Sequence, residues 1–97
     1  MTAKDDVIAR LQHVRPELQT HSVRELWLFG SVARGEAHDT SDVDILVDFS
    51  APVTLFEFLR LQRHLESVLG RKVDLVTRDA LKPQLRHRIL SEAVRAA

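Results

Sequence analysis

The residues best suited to chemistry sit in one stretch, Leu26 to Phe49, where Gly30-Ser31 closes one apolar run and Asp42-Val43-Asp44 opens the next. Glycine has no Cβ, so the backbone at Gly30 can turn sharply and let a ligand oxygen approach the peptide N–H groups. Ser31 adds a hydroxyl donor. Val32-Ala33-Arg34 reads as the first turn of a short helix, whose unpaired N–H groups and positive dipole end favour an anion. Successive side chains of a strand point to opposite faces, so Asp42 and Asp44 share a face, roughly 6.5 to 7 Å apart. Two carboxylates so placed can share hard divalent cations, which complete their shells with waters or substrate phosphates. Other phosphate signatures are missing: Gly30 to Gly35 lacks the Lys-Ser or Lys-Thr of a Walker loop, and there is no G-x-G-x-x-G.

With eight aspartates in 97 residues, a single Asp-x-Asp carries little weight. The weight comes from the conjunction: Gly-Ser ending an apolar strand, a fixed gap, Asp-x-Asp opening the next, and Asp74 isolated in Lys72-Val73-Asp74-Leu75-Val76. A solvated sheet face, or charges that discourage edge pairing, would account for Asp42, Asp44 and Asp48 singly. Simple strand alternation would likewise account for Asp74.

Around this stretch the sequence supplies positioning elements. Val7, Ile8, Leu11 and Val14 recur at helical spacing from Ala3 to about His13, with Thr2 and Asp5 as a capping pair. Pro16 opens a second helical piece through Leu18, and the first strand runs from Glu25 to Phe29. The polar loop from Glu36 to Ser41 carries His38 and Asp39, read as solvated. After the Asp42 strand, Thr54-x-x-Glu57 is a capping box for a helix that closes at Gly70. Leu55, Phe58, Leu59, Leu65, Val68 and Leu69 form its apolar stripe; Phe56 and Leu61 fall off it, so the helix is either buried broadly or offers surface to a partner. Lys72 to Thr77 is a strand. Pro83 opens the last helix, with Leu85, Ile89, Leu90 and Ala93 on its apolar side and Lys82, Arg86, His87, Arg88 and Arg95 on a solvated side where Arg88 pairs with Glu92. This alternation of strands and helices predicts an α/β or α+β domain, a small mixed sheet covered by helices.

Composition bounds the rest. Ninety-seven residues suit one domain, spanning 1–97, and are too few for two. Lys plus Arg and Asp plus Glu are equal at 14 each, so no global field recruits nucleic acid and direct binding to it is not expected. The absence of cysteine removes disulfide and thiolate chemistry and is compatible with a reducing compartment. Lys4, Asp5 and Asp6 stand where a signal peptide needs an apolar run, and no segment approaches membrane-spanning length, so a cytoplasmic location is expected. None of the five histidines has a zinc-site spacing.

Leu28-Phe29-Gly30-Ser31, Ala33-Arg34-Gly35 and Ser41-Asp42-Val43-Asp44 together resemble the signature of the DNA polymerase beta-like nucleotidyltransferase superfamily, and the short length points to its minimal nucleotidyltransferase branch. The resemblance implies the polymerase-beta-like nucleotidyltransferase fold. It also implies a triphosphate held by Gly30 and Ser31 with Arg34 as helper, and two Mg2+ ions bound by Asp42, Asp44 and Asp74. Asp74 would also accept the acceptor's proton, with ATP as substrate. Standalone relatives acting on antibiotics or RNA carry an extra acceptor-binding domain, for which this chain is too short. The resemblance therefore points to the antitoxin of HEPN–minimal nucleotidyltransferase toxin–antitoxin pairs, a hetero-oligomer in which AMP passes to a tyrosine of a HEPN ribonuclease toxin. Two other readings remain open at this point: a non-catalytic module that neutralises a toxin by contact, and the catalytic subunit of an RNA or small-molecule nucleotidyltransferase.

Overall fold

The central strand Val43–Phe49, with Val43, Ile45, Leu46 and Val47 buried, organises the molecule. A computed structural model describes residues 3–36 and 42–97. In chain order they form α1 (Ala3–His13), α2 (Arg15–Thr20), β1 (Val23–Phe29), α3 (Gly30–Ala33), β2 (Val43–Phe49), α4 (Leu55–Leu69), β3 (Val73–Thr77), a 3₁₀ turn (Arg78–Ala80), α5 (Pro83–Glu92) and β4 (Val94–Arg95). Thr2, His38, Asp39 and Ser41, which carry the expected first cap and part of the polar loop, lie outside the described residues.

The sheet order is β3-β2-β1-β4, with β2 parallel to β3 and antiparallel to β1, and β1 antiparallel to β4. This is the mixed sheet expected from the sequence. The parallel pair needs a crossover, and α4 supplies it. On one face Val43, Ile45 and Val47 meet Leu26, Leu28, Val73 and Leu75, and the cluster is completed by side chains of α1, α2, α3 and α4, among them Leu11, Leu18, Val32 and Leu65. On the other face the register sets Phe29 beside Asp44, Trp27 beside Leu46, and Asp74 beside Asp44. The acids therefore point away from the main core, as period-two alternation requires.

Local chemistry explains the helix ends. Pro16 occupies the first turn of α2, which runs on to Thr20. Thr54 Oγ1 accepts the Glu57 N–H at 3.1 Å, and Gly70, at φ 64°, takes the left-handed conformation that closes α4. Glu17 Oε2 lies 3.0 Å from His64 Nε2, and the His21 and His64 rings stack at 5.2 Å, which ties α2 to α4.

Four expectations need correction. β1 starts at Val23 rather than Glu25. β4 was not foreseen; it lies beside β1, where Leu26 donates to the Ala97 carbonyl at 2.8 Å and accepts from the Ala96 N–H at 2.8 Å. Along α4 the buried row is Leu61, Leu65 and Leu69, with Phe58 and Val68 partly buried, while Leu55 and Leu59 are exposed. At 100° per residue Leu59 sits roughly 120° around the helix from Leu65. Apolar type alone does not say which arc meets a sheet when a helix carries two. On α5, Leu85 is exposed and no residue is fully buried, so its apolar side is only partly covered.

Leu61→Ala should destabilise the domain by roughly 2 to 5 kcal/mol, whereas Leu55→Ala should change stability by less than about 0.5 kcal/mol. Urea unfolding of the two variants beside the parent measures the contrast.

Candidate active site

The turn after β1 is built around one close approach. Gly30 has φ 70°, a conformation that side chains with a Cβ rarely adopt. A Cβ at this position would run into the Asp44 carboxylate, whose Oδ2 is the nearest atom and whose Cγ would lie 3.1 Å away. Glycine at 30 is thus required twice, by the backbone and by the acid packed over it. The following turn is fixed by Arg34 N–H to Gly30 O at 3.2 Å and Glu36 N–H to Ser31 O at 2.9 Å. Val32, fully buried in the core, anchors it from below.

Asp44 lies at the centre of the sheet's acidic end. Its strand neighbours in register are Phe29 on β1 and Asp74 on β3. Asp42 immediately precedes Val43, the first residue of β2, and is exposed, as is Asp74; Asp44 is half-buried. The Asp44 carboxyl is held above its ordinary pKa of 3.8, first by burial, then by the charges of Asp74 and Asp42, with Arg34 acting in the opposite direction. The three acids named from the sequence are therefore electrostatic neighbours, and Gly30 touches the central one. Their oxygens form a hard donor set of the kind that suits Mg2+, Ca2+ or Mn2+. Among the described residues no three His, Cys, Asp or Glu side chains close into a ready-made metal cage.

Arg34 is paired with Glu36, at 3.1 Å, and with Glu92 of α5, at 3.4 Å. Glu92 also lies 3.7 Å from Arg88, the helical pair expected from the sequence. The role of Glu92 at the Gly30 turn was missed, because its partner is 58 residues away. Two further residues were missed. β3 is an edge strand, and the outward backbone of Val73 would lack partners. Gln62 Nε2 donates to the Val73 carbonyl at 2.8 Å, and Glu66 Oε2 accepts the Val73 N–H at 3.0 Å. These two α4 side chains pin the backbone immediately before Asp74. The i, i+4 spacing of Gln62 and Glu66 was visible in the sequence; the strand edge they cover was not. A cavity of about 480 Å³ at the opposite end of β2 and β3, between Asp48, Ser50, Thr77 and Arg78, does not include the acids.

The model of the nucleotidyltransferase domain family matches residues 11–96. Protein adenylyltransferase MntA of Thermococcus cleftensis is 44% identical over 82 residues, covering 84% of this chain and 83% of that protein. A solved structure described as a minimal nucleotidyltransferase superposes with a TM-score of 0.82 at 40% identity, covering 97% of this chain and 95% of that one. The same fold recurs, at 21% identity and a TM-score of 0.61, in a structure of the tri-AMPylated Shewanella oneidensis HEPN toxin in complex with its MNT antitoxin, covering 98% of this chain and 69% of that one. Gly-Ser at the end of β1, the acids of β2 and β3, and the mixed sheet that aligns them agree with these likenesses: the chain belongs to the nucleotidyltransferase domain family, among its minimal members.

Proposed function

We propose that this chain transfers AMP from ATP to a hydroxyl group, that of a tyrosine, on a partner HEPN ribonuclease toxin and so neutralises it. The observation that carries this reading is the register of Asp44 with Asp74 beside Gly30, which gathers like charges against a glycine turn at one end of the sheet. The names of its relatives supply the direction, since MntA is called a protein adenylyltransferase and the fold recurs beside an AMPylated HEPN toxin.

Asp42, Asp44 and Asp74 would hold two Mg2+ ions. Magnesium takes one or two carboxylates and completes its octahedron with waters and phosphate oxygens, so the site needs no all-protein cage. When bound, such ions supply charge stabilisation to the attacking and leaving oxygens of an in-line displacement. The chain's own groups do the remaining work. The Gly30 backbone and the Ser31 hydroxyl hold the triphosphate, with Arg34 beside them. An Asp74 carboxylate oxygen accepts the proton of the acceptor hydroxyl as its oxygen bonds to the α-phosphorus, and the bond to pyrophosphate breaks with its electron pair leaving on pyrophosphate. The chain contains no tyrosine, so it is not its own tyrosine acceptor.

Incubation with labelled ATP, Mg2+ and the product of the adjacent reading frame should place label on that protein. Asp44→Asn and Asp74→Asn should each lower the rate about 10³-fold, since several kcal/mol of charge stabilisation is at stake. Toxin neutralisation that survives Asp42→Asn plus Asp44→Asn would instead identify a contact antitoxin, and label on RNA an RNA-modifying enzyme.

The raised pKa of Asp44 sets a second prediction. Above 3.8 there is an interval in which the folded domain binds more protons than the unfolded chain, so stability falls as pH rises through it. Beyond that interval the Asp44 charge opposes folding. Asp44→Asn should therefore raise the Tm at pH 7 in the absence of divalent ions, and flatten its dependence on pH, while transfer is lost. Gly30→Ala should do the reverse for stability, costing at least about 1 to 2 kcal/mol from the left-handed backbone alone, and should also abolish transfer. Calorimetric melts across a pH series, beside transfer assays, read both.

A further inference from the structure

The fold uses only one of the two apolar faces of α4. Leu61, Leu65 and Leu69 enter the core, whereas Leu55, Phe56 and Leu59 are 73%, 67% and 42% exposed. On a helix, positions 55, 56, 59, 60 and 63 line one stripe, and Phe56 falls roughly 180° from Leu65. The Arg60 guanidinium lies 4.7 Å from the centroid of the Phe56 ring. Phe56, Leu59, Arg60 and Arg63 surround a shallow cavity of about 120 Å³. Contiguous large apolar side chains at the surface mark an interaction site more often than they serve the free domain.

We propose that this stripe seats the protein acceptor itself, through a partner segment that presents apolar side chains flanked by carboxylates. The inference rests on the proposed function and names the surface by which its partner is held. Charge complementarity selects the occupant. The stripe carries Arg60 and Arg63, with Arg60 over the Phe56 ring, while the acid of the first turn, Glu57, lies off the stripe and lines a separate cavity with His21 and Ser22. A second copy of this chain fits poorly, because a symmetric α4 to α4 contact would bring the Arg60 and Arg63 pairs of both copies together with no acid on the stripe between them. Single-stranded nucleic acid fits poorly as well. The Arg60 guanidinium already covers one face of the Phe56 ring, and the chain has no net charge to attract a polyanion.

The position of the stripe gives it a role distinct from chemistry. α4 begins beyond the far end of β2, and the run from Asp44 to Phe49 spans roughly 17 Å at strand rise. The stripe therefore holds the body of the partner while the acceptor hydroxyl reaches the acids at the other end of the sheet.

The test is calorimetric binding to the product of the adjacent reading frame, run beside the labelling assay, with Phe56→Asp, Leu55→Asp plus Leu59→Asp, Arg60→Glu plus Arg63→Glu, and Asp44→Asn. The stripe variants should lose about tenfold or more in affinity, raise the KM for the protein acceptor, and melt at or near the parent temperature, since none of these side chains packs in the core. Asp44→Asn should bind like the parent. Stripe variants that bind the partner like the parent overturn this inference and leave the proposed transfer standing. Binding through the stripe without label on the partner sinks the proposed transfer and leaves the docking surface standing. No binding by the parent overturns both, and a parent dimer that dissociates when the stripe is changed shows that a second copy occupies it.

Discussion

The contact between the Asp44 carboxylate and the α-carbon of Gly30 is the constraint around which the molecule is arranged. It places the turn after β1 and a carboxylate against one another, and it exists only because residue 30 lacks a side chain. β2 holds the acid there. On one face its Val43, Ile45 and Val47 are sealed into the core, so the strand cannot slip without exposing them. On the other, Asp44 is half-buried beside Asp74 and near Asp42; burial first, and then the repulsion of those charges, raises its pKa and works against folding. The apolar face offsets this repulsion. The core and the acidic cluster are thus divided between the two faces of one strand.

Supports for that arrangement come from distant parts of the chain. Gln62 and Glu66 satisfy the edge of β3 immediately ahead of Asp74, so the crossover helix also sets the height of the third acid. Glu92 reaches from α5 to Arg34 and ties the turn after β1 to the C-terminal helix. The last residues then close the sheet, with Ala96 and Ala97 buried beside Leu26.

Much of this was legible in the residues themselves. Gly30, Asp44 and Asp74 stood out because their types break an apolar pattern at strand ends, and the structure brings them together. The helices announced themselves by Pro16, Thr54, Gly70 and Pro83, which act locally. What remained hidden depends on contacts between remote segments. β4 is two residues long and has no periodicity to read. The partners of Gln62, Glu66 and Glu92 are backbone or side chains that only the tertiary fold places nearby. Leu55, Leu59 and Leu61 of α4 were misplaced for a different reason: Leu55 and Leu59 are as apolar as Leu61 and Leu65, and a helix with two apolar arcs does not declare which one the sheet will cover.

The central claim is that Asp42, Asp44 and Asp74 share divalent cations beside the Gly30 turn. Crystals of the domain grown with Mn2+ and a non-hydrolysable ATP analogue test it directly, because Mn2+ accepts the same carboxylate and phosphate oxygens as Mg2+ and is visible by anomalous scattering. Anomalous peaks within ligand distance of Asp44 and Asp74, with the triphosphate against Gly30 and Ser31, are the result this account predicts. A bound triphosphate lying elsewhere, or Mn2+ peaks away from these carboxylates, would contradict it.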